Sequence, residues 1–183
     1  MRRLRIPPIF GDLVLTTFSA CDGLVFDRPR SCPACGGPAT GYDRKNRHFA
    51  VLAEPDASTV INVVVKRFRC MVCGKVFSAE APFYPNTRIG SPIVDLCKTF
   101  GQIMPSSRVS ANLAFLGITV DRWTVRNYVL NNRHRTVTTT ELYGIEFPLS
   151  LVSLIALVAS AGGNDPMDSQ KVLEACGFKS PGV

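Results

Sequence analysis

Histidine is scarce in this chain of 183 residues, with His48 and His134 as its only two, so a metal site built mainly on imidazoles is excluded. Long apolar runs are missing as well. The best membrane-spanning candidate, Phe147 to Asn164, carries no charge but contains Pro148, three serines and Gly162-Gly163. Its uninterrupted part, Leu149 to Ala161, would reach about 20 Å at 1.5 Å per residue, short of a bilayer core of about 30 Å. That predicts a buried helix and no membrane partner. The start, Met1 to Pro8, has a basic flank, but its two prolines and the nearby Asp12 leave no apolar core behind that flank, so no secretory signal is expected. Charge is sparse at 19%, against 46% apolar residues, a balance that buries a core and excludes broad disorder.

Seven cysteines are present. The expected compartment is cytoplasmic and reducing, which disfavours a disulfide framework. Four of the seven form the pairs Cys32-Pro-Ala-Cys35-Gly and Cys70-Met-Val-Cys73-Gly. Two intervening residues let both sulfurs of a pair turn toward one ion, and the following glycine accepts the positive φ that folds the chain back beneath them. Four thiolates close a tetrahedron, so the expected cofactor is one structural Zn²⁺ per chain held by Cys32, Cys35, Cys70 and Cys73. A redox pair, or four unrelated buried cysteines, are the alternatives. Cys21, Cys97 and Cys176 have no partner at ligand spacing and read as small buried hydrophobes.

The 34 residues between the pairs exceed the common spacing of about 15 to 20, and their content accounts for the excess. Thr59 to Arg69 is rich in β-branched residues and runs into the second pair as a strand, with Arg47 to Ala53 as its partner and Glu54 to Ser58 as the turn. Strand, turn, strand between two knuckles resembles a zinc ribbon. Antiparallel pairing would bring Arg44, Lys45, Arg47 and His48 beside Lys66, Arg67 and Arg69 at the knuckle end, where they could meet phosphates or form a solvated strand face.

A second unit begins at Ser91. Ser91 as N-cap, Pro92 at the first helical position, then Ile93, Val94, Leu96, Cys97, Phe100, Ile103 and Met104 predict a helix ending near Pro105. Ser106 to Phe115 is a second helix, Leu116-Gly117-Ile118 a turn, and Asp121 to Leu130 a third helix capped by Asp121. Three helices with a glycine turn form the tri-helical DNA-binding core, or else an ordinary bundle. In the DNA-binding arrangement Arg122, Trp123, Arg126 and Asn127 face outward for base reading, while Val125 and Val129 pack inward. Arg108, Arg133 and Arg135 suit the DNA backbone. The charge of +7 fits a polyanion partner and is unevenly spread: the first 140 residues carry 19 basic and 9 acidic side chains, the last 43 carry two and five.

The order Cys-Pro-x-Cys-Gly, Arg-Phe-Arg-Cys-x-x-Cys-Gly-Lys-x-Phe, then Leu-Gly-Ile-Thr-Val-Asp-Arg-Trp-Thr-Val-Arg-Asn-Tyr-Val resembles the N-terminal DNA-binding half of insertion-sequence transposases of the Asp-Asp-Glu type. The resemblance spans Arg30 to Arg135. It implies binding of double-stranded DNA at terminal inverted repeats, and a following RNase H-like domain with Mg²⁺ that cuts and joins. Only 48 residues lie beyond Arg135, and their acids, Glu141, Glu146, Asp165, Asp168 and Glu174, lie on no convincing strand. No catalytic domain, no enzyme activity and no small-molecule substrate are therefore expected, and the protein would be a nucleoid-associated terminal-repeat binder or repressor. A ribbon-based protein-interaction adaptor is the second reading.

The expected fold class is α+β: an N-terminal β segment over 1–29 with strands at Phe10 to Phe18 and Gly23 to Phe26, a zinc ribbon over 30–90, a helix-turn-helix over 91–135 and a helical tail over 136–183. The tail holds an apolar helix, Phe147 to Ala161, and an amphipathic one, Met167 to Cys176. The apolar helix either covers the helical core or pairs with a second copy as a homodimer.

Overall fold

The computed structural model describes residues 6–53, 57–131, 135–161 and 167–178. The fold is mixed α+β. In order, it runs α1 (Pro8–Ser19), β1 (Val25–Phe26), β2 (Ala39–Ala53), β3 (Ser58–Cys70), β4 (Val76–Ser78), α2 (Ser91–Gly101), α3 (Ser106–Phe115) and α4 (Arg122–Asn131). A second hairpin, β5 (Thr139–Leu142) and β6 (Ile145–Pro148), precedes α5 (Leu149–Ser160) and α6 (Ser169–Ala175).

The strand expected over Phe10 to Phe18 is instead helix α1. Its buried residues Phe10, Val14, Thr17 and Phe18 recur at i, i+4, i+7 and i+8, the stripe of an amphipathic helix, and a proline occupies the first turn where its missing N–H costs nothing. The β-branched content of the segment concealed that period. Phe18 packs against Phe49 with ring centroids 5.6 Å apart.

β2 and β3 pair antiparallel from Ala53↔Ser58 to Ala39↔Cys70. β2 extends back to Ala39, well before the Arg47 start read from the sequence. Its Thr40–Asn46 stretch is exposed throughout, so no apolar alternation announces it. Charged residues on this free edge oppose edge-to-edge aggregation. β1 pairs parallel with β3 at Val25↔Val64, and β4 pairs antiparallel at Phe68↔Phe77. The turn, residues 54–56, lies outside the described residues.

The hairpin enters the core by one end. Phe49, Ala50, Leu52, Ile61, Val63 and Val65 are buried near the turn, in one apolar cluster with the helices. Gly90 donates its N–H to the Phe49 carbonyl at 2.8 Å, and a Cβ there would fall 2.3 Å from Phe49 Cε2. That close approach requires glycine and puts Gly90, not the expected Ser91, at the N-cap of α2.

α2 is buried along nearly its whole length, with α3 and α4 packed on it. Gly101 allows the approach of α4, since a Cβ would meet Val129 Cγ2 at 2.5 Å. α3 and α4 are joined through Gly117, at φ +79°. Asp121 caps α4 as expected, accepting from Trp123 N–H at 2.9 Å and Thr124 N–H at 3.0 Å. The connection is also bonded to the hairpin: Thr119 N–H donates to Val51 O at 2.8 Å and Ala53 N–H to Gly117 O at 2.9 Å.

The β5–β6 hairpin was not foreseen. Tyr143 at φ 54° and Gly144 at φ 74° give the two left-handed residues of a tight hairpin turn. Phe147, expected at a helix start, lies in β6 and stacks on Phe10 with centroids 5.0 Å apart. Glu141 and Glu146, expected off any strand, stand opposite each other across this hairpin, both exposed. α5 packs on α1, α2 and α6. Asp168 caps α6 by accepting from Gln170 N–H at 2.9 Å.

A buried carboxylate ties the tail to the helical core. Asp95 on α2 is 4% exposed, with the Tyr84 hydroxyl 2.9 Å from both its oxygens and Ser150 Oγ of α5 at 2.7 Å. Arg135 Nε lies 3.9 Å away. Loss of hydration is the largest influence and raises the Asp95 pKa, outweighing these hydrogen bonds and the charges of Arg135 and Lys98. A carboxyl with a raised folded-state pKa binds its proton more tightly than in the unfolded chain, so it favours folding at low pH and that advantage fades as pH rises. Asp95→Asn should remove this slope: the stability of the native protein relative to the variant should fall as pH climbs from the ordinary carboxyl value of 3.8 to the raised one. Parallel denaturation curves across that window would contradict it.

Candidate metal centre and nucleic-acid surface

The two knuckles are near copies. Cys32 N–H donates to Gly37 O at 3.0 Å and Gly36 N–H to Cys32 O at 2.8 Å; Cys70 N–H donates to Lys75 O at 2.9 Å and Gly74 N–H to Cys70 O at 3.1 Å. Gly36 and Gly74 share φ +71°, the left-handed turn expected for the glycine after each pair. β2 comes directly after one knuckle and β3 leads into the other, so the hairpin places them face to face.

All four sulfurs lie within 4.8 Å of one another. Cys32 Sγ is 3.6 Å from Cys73 Sγ, and Cys35 Sγ is 3.4 Å from Cys70 Sγ. These separations are too long for disulfide bonds of about 2.05 Å. They are close to the ~3.8 Å edge of a tetrahedron with metal–sulfur bonds of about 2.3 Å. Backbone amides already favour the anionic form: Ala34 N–H points at Cys32 Sγ, and Val72 and Cys73 N–H at Cys70 Sγ, each at 3.4 Å. The Cys73 amide leads in pulling Cys70 down to about 6, and Ala34 leads in lowering Cys32. At Cys35 the Gly37 amide pulls down, but Cys70, Cys73, loss of hydration and Cys32 together outweigh it and push the thiol up to about 12. Sulfurs this close cannot all ionise without a cation, and a divalent ion at their centre removes that repulsion. With four protein ligands the centre keeps no open position for catalysis. Cys21, Cys97 and Cys176 are buried elsewhere in the core, burial pushing Cys21 and Cys97 up to about 12.

The basic residues divide by what they touch. On α4, Arg122, Trp123, Arg126 and Asn127 are exposed while Val125 and Tyr128 are buried. Trp123 is 62% exposed, and the Arg126 guanidinium lies 5.7 Å from its ring centre. Arg108 is exposed on α3. Arg133 lies outside the described residues. Arg135 stacks 3.5 Å over Tyr84 and faces Asp95.

On the hairpin, Arg44 stands opposite Lys66 as expected, but Lys45 faces Val65, Arg47 Val63, His48 Asn62, Arg67 Asp43 and Arg69 Thr40, so the register brings the two basic clusters together only at Arg44 and Lys66. Arg47 is half-buried, stacking 3.7 Å over Phe83 and donating to Thr87 O at 2.8 Å. Burial lowers its pKa. Arg67 forms a two-pronged pair with Asp43, which lowers the carboxyl's pKa. Arg47, Arg67 and Arg135 thus serve internal contacts, and Arg44, Lys45, Lys66, Arg69, Arg122 and Arg126 carry the outward charge. Sequence reading passed over Asn46 and Asn62, which share a strand face with Arg44 and Lys66; the alternation of side chains along a strand was the available signal.

Among the described residues no helix is long and apolar enough to cross a membrane. No protein-family model, curated protein or solved structure matches the chain.

Reduced, freshly prepared protein should carry about one divalent ion per chain, and Cys32→Ser or Cys73→Ser should release it. Elemental analysis that finds no metal in the unaltered protein would refute the centre.

Proposed function

We propose that this chain is a sequence-selective double-stranded DNA-binding protein of transposase-like origin, built from a zinc ribbon and a helix-turn-helix. The observation that carries the reading is α4. Its exposed side gathers Arg122, Trp123, Arg126 and Asn127, its opposite side is buried against α2 and α3, and a glycine turn leads into it. Arginine can grip guanine O6 and N7 bidentately and asparagine the adenine N6 and N7 edge, so this set suits the major groove. Arg108, Arg44, Lys45, Lys66 and Arg69 supply phosphate contacts. The ion is Zn²⁺, favoured by four thiolates in a closed tetrahedral set. Such a protein works in the cytoplasm beside the nucleoid. Val152, Ile155 and Leu157 of α5 are half-buried against the core, which favours covering the helical core over a homodimer as the role of that helix.

A protein-interaction adaptor is favoured by a different observation: Met71 and Val72 at the second knuckle are 70% and 69% exposed. The two readings separate on DNA. Affinity for duplex should fall steeply with salt as counterions return, and a selected site should exceed random duplex by about 10³ or more. Arg126→Ala should cost about 1–3 kcal/mol on the selected site and much less on random DNA. No duplex binding at about 50 mM salt would leave the adaptor reading standing alone.

A further inference from the structure

The β2–β3 hairpin has two unlike faces. Ile61, Val63 and Val65 point from β3 into the core. On the other face the register sets Arg44 opposite Lys66, Asn46 opposite Val64 and His48 opposite Asn62. Arg44, Asn46 and His48 are exposed, and Asn62, Val64 and Lys66 half-exposed. β1 continues the face with Val25, paired to Val64 and 36% exposed.

The side chains on this face have little to do inside the fold. Arg47 and Arg67, on the opposite side, are held by Thr87, Phe83 and Asp43. Among the described residues the side chains of Arg44, Asn46 and His48 show no hydrogen bond or ion pair. Asn62 uses one amide N–H on Val60 O at 3.2 Å, and Lys66 lies 5.5 Å from the Phe68 ring centre. Among the described residues Asp22 borders the face, its carboxylate occupied with the Asn62 backbone N–H at 2.8 Å.

We propose that this face is a second DNA-reading surface, with Asn46, His48 and Asn62 contacting base edges of duplex DNA while Arg44 and Lys66 hold its phosphates. The inference rests on the DNA-binding reading above and extends it from α4 to the sheet. A strand pair fits the major groove, and strands are an established means of reading it. Carboxamides match the adenine edge bidentately, and an imidazole N–H donates to a purine acceptor. Val64 and Val25 offer apolar contact to a thymine methyl. Alternation along β2 spaces its polar side chains about 6.8 Å apart, two strand residues, or two base-pair steps at about 3.4 Å. The surface is also fixed in place: the far end of the hairpin is bonded to the α3–α4 connection through Val51–Thr119 and Ala53–Gly117. The two readers cannot reorient freely.

The test selects binding sites from random duplex using the full chain, Asn46→Ala/His48→Ala and Arg126→Ala/Asn127→Ala, with metal content and thermal unfolding checked for each. The native protein should select two blocks of preferred bases. The hairpin variant should lose one block and keep the other, with affinity for the native site about 5- to 150-fold weaker and affinity for random duplex little changed. The α4 variant should show the reverse loss. Arg44→Ala should weaken binding to all sequences alike and reduce the salt slope by about one. A hairpin variant that keeps its metal yet selects the unaltered motif, or that weakens on every sequence equally, overturns this inference and leaves α4 as the reader. Failure of the native protein to bind duplex at all overturns the underlying reading too.

Discussion

The β2–β3 hairpin is anchored at its two ends by different physics, and the rest of the molecule is arranged around that difference. At the turn end, Phe49 packs on Phe18 and on the bare backbone of Gly90, and the ladder passes to the α3–α4 connection at Val51 and Ala53. At the knuckle end, beyond Val65, the strands leave the helical core. Phe68 and Phe77, with ring centroids 6.0 Å apart, are the main apolar pair there. There β2, β3 and the short β4 form a narrow three-stranded tip, and so small a sheet with little to bury is marginal in water. The sulfur cluster could supply the missing constraint, since an ion held by its four cysteines would close the loop between the knuckles. Without a cation the four thiols could not all ionise at this spacing.

The same division governs the charges. Where the chain runs back toward the core, cations are absorbed: Arg47 over Phe83 with a bond to Thr87, Arg135 over Tyr84 and beside Asp95. Planar guanidinium groups suit such places because they stack on aromatic faces and keep their donors directed. Asp95 is the dearest of these groups, since its desolvation exceeds what its partners return. It joins α2, the Tyr84 loop, the segment after α4 and α5 through one carboxylate. This links the tail to the helical unit through polar contacts as well as through Phe147. Net charge alone could not distinguish these internal arginines from Arg44 or Arg126.

What the sequence disclosed depended on how local its signals are. The knuckles were legible because a C-x-x-C-Gly segment carries its geometry within five residues, and both glycines adopt the turn that spacing demands. Asp121 as a cap and the Gly117 turn were legible for the same reason. The polar half of β2 was not, because a strand that projects into solvent has no buried face to impose alternation. α1 was misread because its apolar residues satisfy a helical stripe and a β-branched run at once, and only the packing of Phe10 and Phe18 decides between them. The α2 boundary moved by one residue because Phe49, some 40 positions earlier, needs a glycine beneath it. The role of Arg135 depended on Asp95 and Tyr84, which no spacing rule connects to it.

The glycine at the α3–α4 turn shows how far these parts depend on one another. A Cβ at Gly117 would fall 2.6 Å from Leu15 Cδ2 on α1, and its φ of +79° is one that other residues resist. Its carbonyl also accepts the last hydrogen bond of β2. One residue thereby sets the entry to α4, the seat of α1 and the end of the hairpin. Distortion there would move the outward side of α4 relative to the outward face of the hairpin, although neither surface contains the residue. Two surfaces locked this way present a partner with one fixed spacing. A rigid pair gives up little conformational freedom on binding, so more of the contact energy remains to discriminate between partners. The cost is that a partner whose shape does not match that spacing can engage only one surface at a time.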